Sequence, residues 1–239
     1  MRRRAFELLK EKGKFTFKDL FSICIGKVFS NRINFCEYLG NYSFWNLSLT
    51  NGVLLVDDKK FNVECIGTSS SNDGMWFSAE LENKIPVEKI NMIVKSRNLL
   101  KQLNITNLGE TKIELTKEIT DEKLAIIYTA FCDDEECSYY IATSGDVRLF
   151  LHVKSYENEK VIEDLTKPIA SHAFIPRVMT IINHFDVDQK LMIKSFLIHN
   201  NCKIVEKDAN SFVGFFGEKS ITFNFDEKGR LASASGAVS

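Results

Sequence analysis

Phe44-Trp45-Asn46-Leu47-Ser48-Leu49-Thr50-Asn51-Gly52-Val53-Leu54-Leu55-Val56 is the most structured reading in the chain. Trp45, Leu47 and Leu49 alternate with Asn46 and Ser48, and a period of two marks a half-buried strand. Asn51-Gly52 accepts the positive φ angles of a two-residue type I′ turn, so Val53–Val56 is expected to return antiparallel to Phe44–Leu49.

The pattern extends outward from this hairpin. Asp57-Asp58-Lys59-Lys60 is a second polar turn, and Phe61, Val63 and Cys65 lie on a third strand. Gly67–Gly74, with Ser69-Ser70-Ser71-Asn72-Asp73, reads as a flexible loop into a fourth strand, Met75–Leu81, completing a four-stranded antiparallel meander. Pro86 suits the first turn of a helix running towards Leu103 over one sheet face. A strand near Lys112–Leu115 follows. Thr120 then caps a helix with Asp121 and Glu122 in its first turn and Leu124, Ile127, Tyr128 and Phe131 on its buried face. Tyr139–Thr143 and Val147–Val153 form a closing hairpin.

Before the hairpin, residues 4–12 and Lys18–Phe29 read as helices. Beyond Lys154 lie helices at Phe174–Asn183 and Val187–Asn200, with Asp186 and Gln189 at capping-box spacing. Strands follow around Lys203–Val205, Phe212–Phe216, Ile221–Phe225 and Leu231–Ala234. The expected fold class is therefore α+β: an antiparallel meander covered by helices, with a C-terminal helix-helix-β-hairpin extension. Two regions are expected, 1–153 (including a basic helical segment, 1–40) and 154–239, the latter an extension or a second small domain.

With 239 residues, 44% hydrophobic, the chain has ample material for a core. A formal net charge of −1 gives no bulk attraction to nucleic acid or anionic membranes. Apolar runs fall short of a membrane span, and Glu7, Lys10, Glu11, Lys12 and Lys14 interrupt what would be the apolar part of a signal peptide. The six cysteines are spread among apolar neighbours and read as reduced thiols, which predicts a cytoplasmic protein. Residues 1–32 carry nine Arg and Lys, including Arg2, Arg3 and Arg4, against three acids. This basic segment is either a solvated helix face or a docking surface for an acidic partner.

No motif specifies a reaction, so the catalytic residues are unknown. Cys132 and Cys137 flank Asp133-Asp134-Glu135-Glu136; the gap exceeds that of a redox pair, and no second Cys/His pair stands at zinc spacing, so no metal and no cofactor are expected. The four acids lack the alternation and central glycine of a calcium loop. His152, His172, His184 and His199 form no metalloprotease pair. Gly214–Ser220 has the wrong glycine gap for a phosphate loop, and Gly217-Glu218-Lys219 reads as a hairpin turn. Trp45 and Trp76 are either core anchors or the floor of a groove, with Asp73 and the serine-rich loop beside Trp76 as a ligand edge.

Certain segments carry a family resemblance: Cys36-Glu37-Tyr38-Leu39-Gly40, Phe44-Trp45-Asn46-Leu47, Gly52–Val56, Gly67-Thr68-Ser69, Asp73-Gly74-Met75-Trp76, Ile85–Leu103, Thr120–Phe131 and Tyr139–Leu151. Taken in order, residues from about 21 to 153 resemble the bacterial domain of unknown function 6882 family. The resemblance implies the α+β unit and brings no catalytic residues; where family members often have a second aromatic, this chain has Ser78. The expected function is a non-catalytic binding or protein-interaction module, with no nucleic acid or membrane partner. A third reading is homo-oligomerisation, in which Phe212–Phe216 and Ile221–Phe225 pair edge to edge. The alternative is an enzyme, or a small-ligand-binding protein, with its site at the sheet face between the two halves.

Overall fold

Residues Lys59–Ser70 (β3), in which Phe61, Val63 and Cys65 alternate with Asn62 and Glu64, form the axis of a seven-stranded antiparallel sheet. The structure is a computed structural model describing residues 2–70, 72–103, 107–132 and 137–236, with side chains from Glu7 onward. It divides into two compact units, residues 31–166 and residues 1–30 with 167–239. This differs from the expected boundary near Lys154, with the N-terminal helices on the side of the first sheet. Period and propensity report only local structure, so they do not reveal that helix α1 (Arg2–Lys12) packs on a helix far along the chain, α7 (Gln189–His199).

In residues 31–166, β1 (Trp45–Ser48) pairs with β2 (Val53–Val56), and β2 with the first residues of β3. The far end of β3 takes β4 (Met75–Ser78), which pairs with β5 (Lys112–Glu114). The other edge of β3 is filled by β7 (Val147–Ser155), with β6 (Ser138–Ser144) outside it. Two expectations are corrected here. Gly67–Ser70 is strand, because β4 and β7 supply hydrogen-bond partners that a serine-rich composition does not disclose. The turn after β1 is the four-residue Leu49–Gly52, with Gly52 N–H donating to Leu49 O and only Gly52 at positive φ.

One face of this sheet packs Phe61, Val63, Tyr140, Leu151 and Val153 against Phe35 and Leu39, from the end of α2 (Phe17–Leu39), and against Ile162 of α5 (Val161–Leu165). The other lies under α3 (Asn91–Gln102) and α4 (Asp121–Ala130). The helix expected from Pro86 starts as a short 3-10 turn, Val87–Lys89, and becomes α-helical only at Asn91. Thr120 caps α4 as read, accepting from Lys123 N–H. Trp76 is fully buried, stacked on Tyr128 at 5.8 Å and beside Phe150 at 5.0 Å. A Cβ on Gly67 would lie 2.5 Å from its indole, which explains a glycine in mid-strand.

In the other unit, β8 (Lys203–Asp208), β9 (Ser211–Phe216), β10 (Lys219–Phe225) and β11 (Leu231–Gly236) form a sheet ordered β11-β10-β9-β8. The two strands expected to mediate self-association are its interior strands β9 and β10, whose backbones are already paired on both sides; this corrects the expected mode. Helix α6 (Ser171–His184) brings Phe174 onto Phe196 at 4.6 Å and edge-on to Phe216 and Phe223. The cap of α7 is Asp188, accepting from Leu191 N–H at 3.0 Å, whereas Asp186 pairs with Lys18. Ser195 Oγ donates to Ile23 O at 2.6 Å and Asp188 N–H to Ser22 Oγ at 2.8 Å, fastening α2 to α7. Among the described residues no helix is long and apolar enough to cross a membrane.

Lys12 Nζ bridges Asp19 at 2.5 Å and Asp188 at 2.8 Å. Burial alone would push the Asp19 carboxyl up, but hydrogen bonds from Lys12 and Thr16 outweigh it and hold it below its ordinary value. Stability from this group is present above the ordinary carboxylate range and is lost as pH falls through the lowered value. Asp19→Asn is expected to destabilise the protein at neutral pH, with the gap to wild type in urea denaturation closing as pH drops below about 4. Trp76→Ala is expected to cost about 3–5 kcal/mol in the same assay, because it empties a fully buried site between two rings.

Candidate functional site

Of the two readings given for Trp76, core anchor and groove floor, the structure has the first: it is fully buried in the core. Trp45 is half-buried at the start of β1, and Asp73 is exposed in the turn between β3 and β4. Trp45 pairs with Val56, level with the first residue of β3, whereas Asp73 lies beyond its last. They lie at opposite ends of the twelve-residue β3 and share no site. Arg2, Arg3 and Arg4 belong to α1, and their side chains lie outside the described residues, as do Asp133–Glu136.

Three aromatics not singled out in the sequence precede Trp45 in the chain: Tyr38, Tyr42 and Phe44 are 39%, 41% and 51% exposed. Their setting is rigid. The carboxylate of Asp57, itself at positive φ, accepts the backbone N–H of Ser43 at 3.0 Å and of Phe44 at 3.2 Å, and Asp57 N–H donates back to Phe44 O. Tyr42 and Tyr140 share a hydroxyl hydrogen bond of 2.8 Å, and Lys59 Nζ sits 5.4 Å from the Tyr38 ring centroid. The signal available in the sequence was the aromatic density of Tyr38–Trp45, but the exposure of those rings depends on β1 being an edge strand.

A second cluster is buried. Cys132 follows α4, Cys137 immediately precedes β6, and His152 lies on β7; their ligand atoms all fall within 4.8 Å of one another, with the two Sγ atoms 3.5 Å apart. His152 is fully buried, and among the described residues neither ring nitrogen has a hydrogen-bond partner. Its cross-strand neighbours are Tyr139 and Glu64, and both are engaged elsewhere. Tyr139 donates to Glu122 at 3.1 Å, with burial pushing its hydroxyl well above the ordinary value. Glu64 accepts Met92 N–H at 2.9 Å and lies 3.8 Å from Lys154. Two thiols and an imidazole so placed can bind a soft metal ion. Cys65, by contrast, is a solitary buried thiol, pushed up to about 12 by burial. No spacing rule links His152 to the cysteines, because the β6–β7 hairpin carries it back to them.

Asp57→Ala is expected to cost about 1–2 kcal/mol, since it removes the acceptor of two backbone amides and places a Cβ-bearing residue without a polar side chain at positive φ. Phe44→Ala is expected to stay within about 0.5 kcal/mol of wild type, because its ring is largely solvated. Thermal and urea denaturation of the two variants check both.

No protein-family model, curated protein or solved structure matches the chain.

Proposed function

We propose that this protein is a non-catalytic, intracellular binding module that engages another protein along the open edge of β1. The observation carrying this reading is the row of exposed aromatics held on a clamped backbone beside an unpaired strand edge. Among the described residues β1 pairs with β2 alone. Phe44 O already accepts Asp57 N–H. Hydrogen-bonded and non-hydrogen-bonded pairs alternate along an antiparallel ladder, so the N–H groups of Trp45 and Leu47 point to the open edge. An edge of this kind is completed by an extended segment of a partner. Phe44 and Tyr42 then serve as contact rings whose ordering cost is already met by the Asp57 clamp and the Tyr140 hydrogen bond.

Features elsewhere support binding over catalysis. In the cleft lined by Lys18, Asp186, Asp188 and Arg230, the charges neutralise one another: Lys18 pairs with Asp186, Lys12 with Asp188, and Arg230 with Asp226. Cysteines read as thiols support the cytoplasm as the compartment.

Affinity capture from the native host, with wild type and a Tyr42→Ala/Phe44→Ala double variant side by side, tests the proposal. The expected outcome is a partner that is lost from the variant and that slows hydrogen exchange at the Trp45 and Leu47 amides. A partner retained equally by the variant, with those amides exchanging as in the free protein, overturns it.

A further inference from the structure

We infer that Cys132, Cys137 and His152 form a zinc-binding site that ties the end of α4 to the β6–β7 hairpin. Three independent features converge on it. The first is geometry. Around a tetrahedral zinc, two thiolates stand about 3.8 Å apart and a thiolate and an imidazole nitrogen about 3.5 Å. The two Sγ atoms are already at 3.5 Å, and the imidazole lies within 4.8 Å of both. Small side-chain rotations bring all three onto one ion. The placement is built into the backbone: His152 stands opposite Tyr139, and two-residue alternation puts Cys137 on the same face. Asn31 Nδ2 holds Cys137 by donating to its carbonyl at 2.9 Å.

The second feature is the state of the imidazole. A fully buried histidine with neither nitrogen engaged is an exception that native interiors avoid, and here the side chain lies beside two thiols. A metal ion takes the lone pair of one nitrogen and removes that half of the deficit. A disulfide between Cys132 and Cys137 would satisfy the sulphurs but leave His152 as it is.

The third feature is charge. All three ligands are buried, and Met92 packs against both cysteines. Isolated charge there is strongly disfavoured. Zinc(II) with two thiolates and a neutral imidazole is electrically neutral, whereas copper(I) would leave one negative charge; magnesium and calcium require oxygen ligands. Binding is balanced by releasing both thiol protons: zinc(II) plus two thiols and one imidazole gives the neutral complex and two protons. The four residues between the cysteines fall at the upper limit of the spacing found in structural zinc sites. The fourth position of the tetrahedron falls to a ligand outside these three side chains. The site is separate from the β1 edge, and its test does not depend on a protein partner.

The full-length protein, reduced and stripped with a chelator, is titrated with cobalt(II) and then zinc(II). The expected result is a thiolate-to-cobalt charge-transfer band with tetrahedral visible bands, saturating at one equivalent and abolished by one equivalent of zinc. Two protons are released per zinc bound, read with a pH indicator. The bands are expected to vanish in Cys137→Ser and to persist in Cys36→Ser, with circular dichroism confirming that both variants are folded. If Cys137→Ser fails to fold, the wild-type proton count and cobalt spectrum decide. Absence of the thiolate–cobalt band in reduced wild type, its persistence in folded Cys137→Ser, or a Cys132–Cys137 disulfide that withstands reductant overturns the proposal.

Discussion

The pairing of β3 along both its edges is the constraint from which the rest of residues 31–166 follows. Its twelve residues pair with β2 and β4 along one edge and with β7 along the other, and each of these elements is set in register by it. β2 at one end places β1 at the margin of the sheet, with Tyr42, Phe44 and Trp45 around it. β4 at the other end drives Trp76 into the core over Gly67. Along the opposite edge, β7 brings His152 level with Glu64 and Tyr139. The exposed aromatic edge and the buried cysteine–histidine cluster are thus two products of one strand's register.

The two candidate sites also illustrate two ways a fold prepares for a ligand. At the β1 edge, short polar contacts, chiefly those of Asp57, fix the backbone that carries the solvated rings. In the cysteine–histidine cluster, the fold brings soft donors together and leaves the imidazole incompletely satisfied in a place that water does not reach. The first arrangement suits a macromolecular surface and the second a small ion. They lie on different elements and need not act together.

Much of the residue 31–166 unit was legible because its signals are local. Alternation in Trp45–Leu49 and Val147–Val153, the Thr120 cap, and the apolar stripe of α4 all report on residues a few positions apart, and each element stands where its pattern puts it. Misreadings occurred where the deciding partner was remote. Gly67–Ser70 looks like a loop until β4 and β7 pair with it, and Asp186 looks like a cap until Lys18 draws it away. Trp76, read as either core anchor or groove floor, is the first because Tyr128 and Phe150 enclose it from elements far along the chain.

The sequence by itself determined the class: α+β, built from antiparallel hairpins and amphipathic helices, because period and turn chemistry are properties of neighbouring residues. Only the tertiary structure decided which strands are edges, which aromatics remain in solvent, and that His152 returns to Cys132 and Cys137. Those outcomes depend on which backbone pairs with which across long stretches of chain, and strand pairing joins residues whose proximity no local pattern encodes.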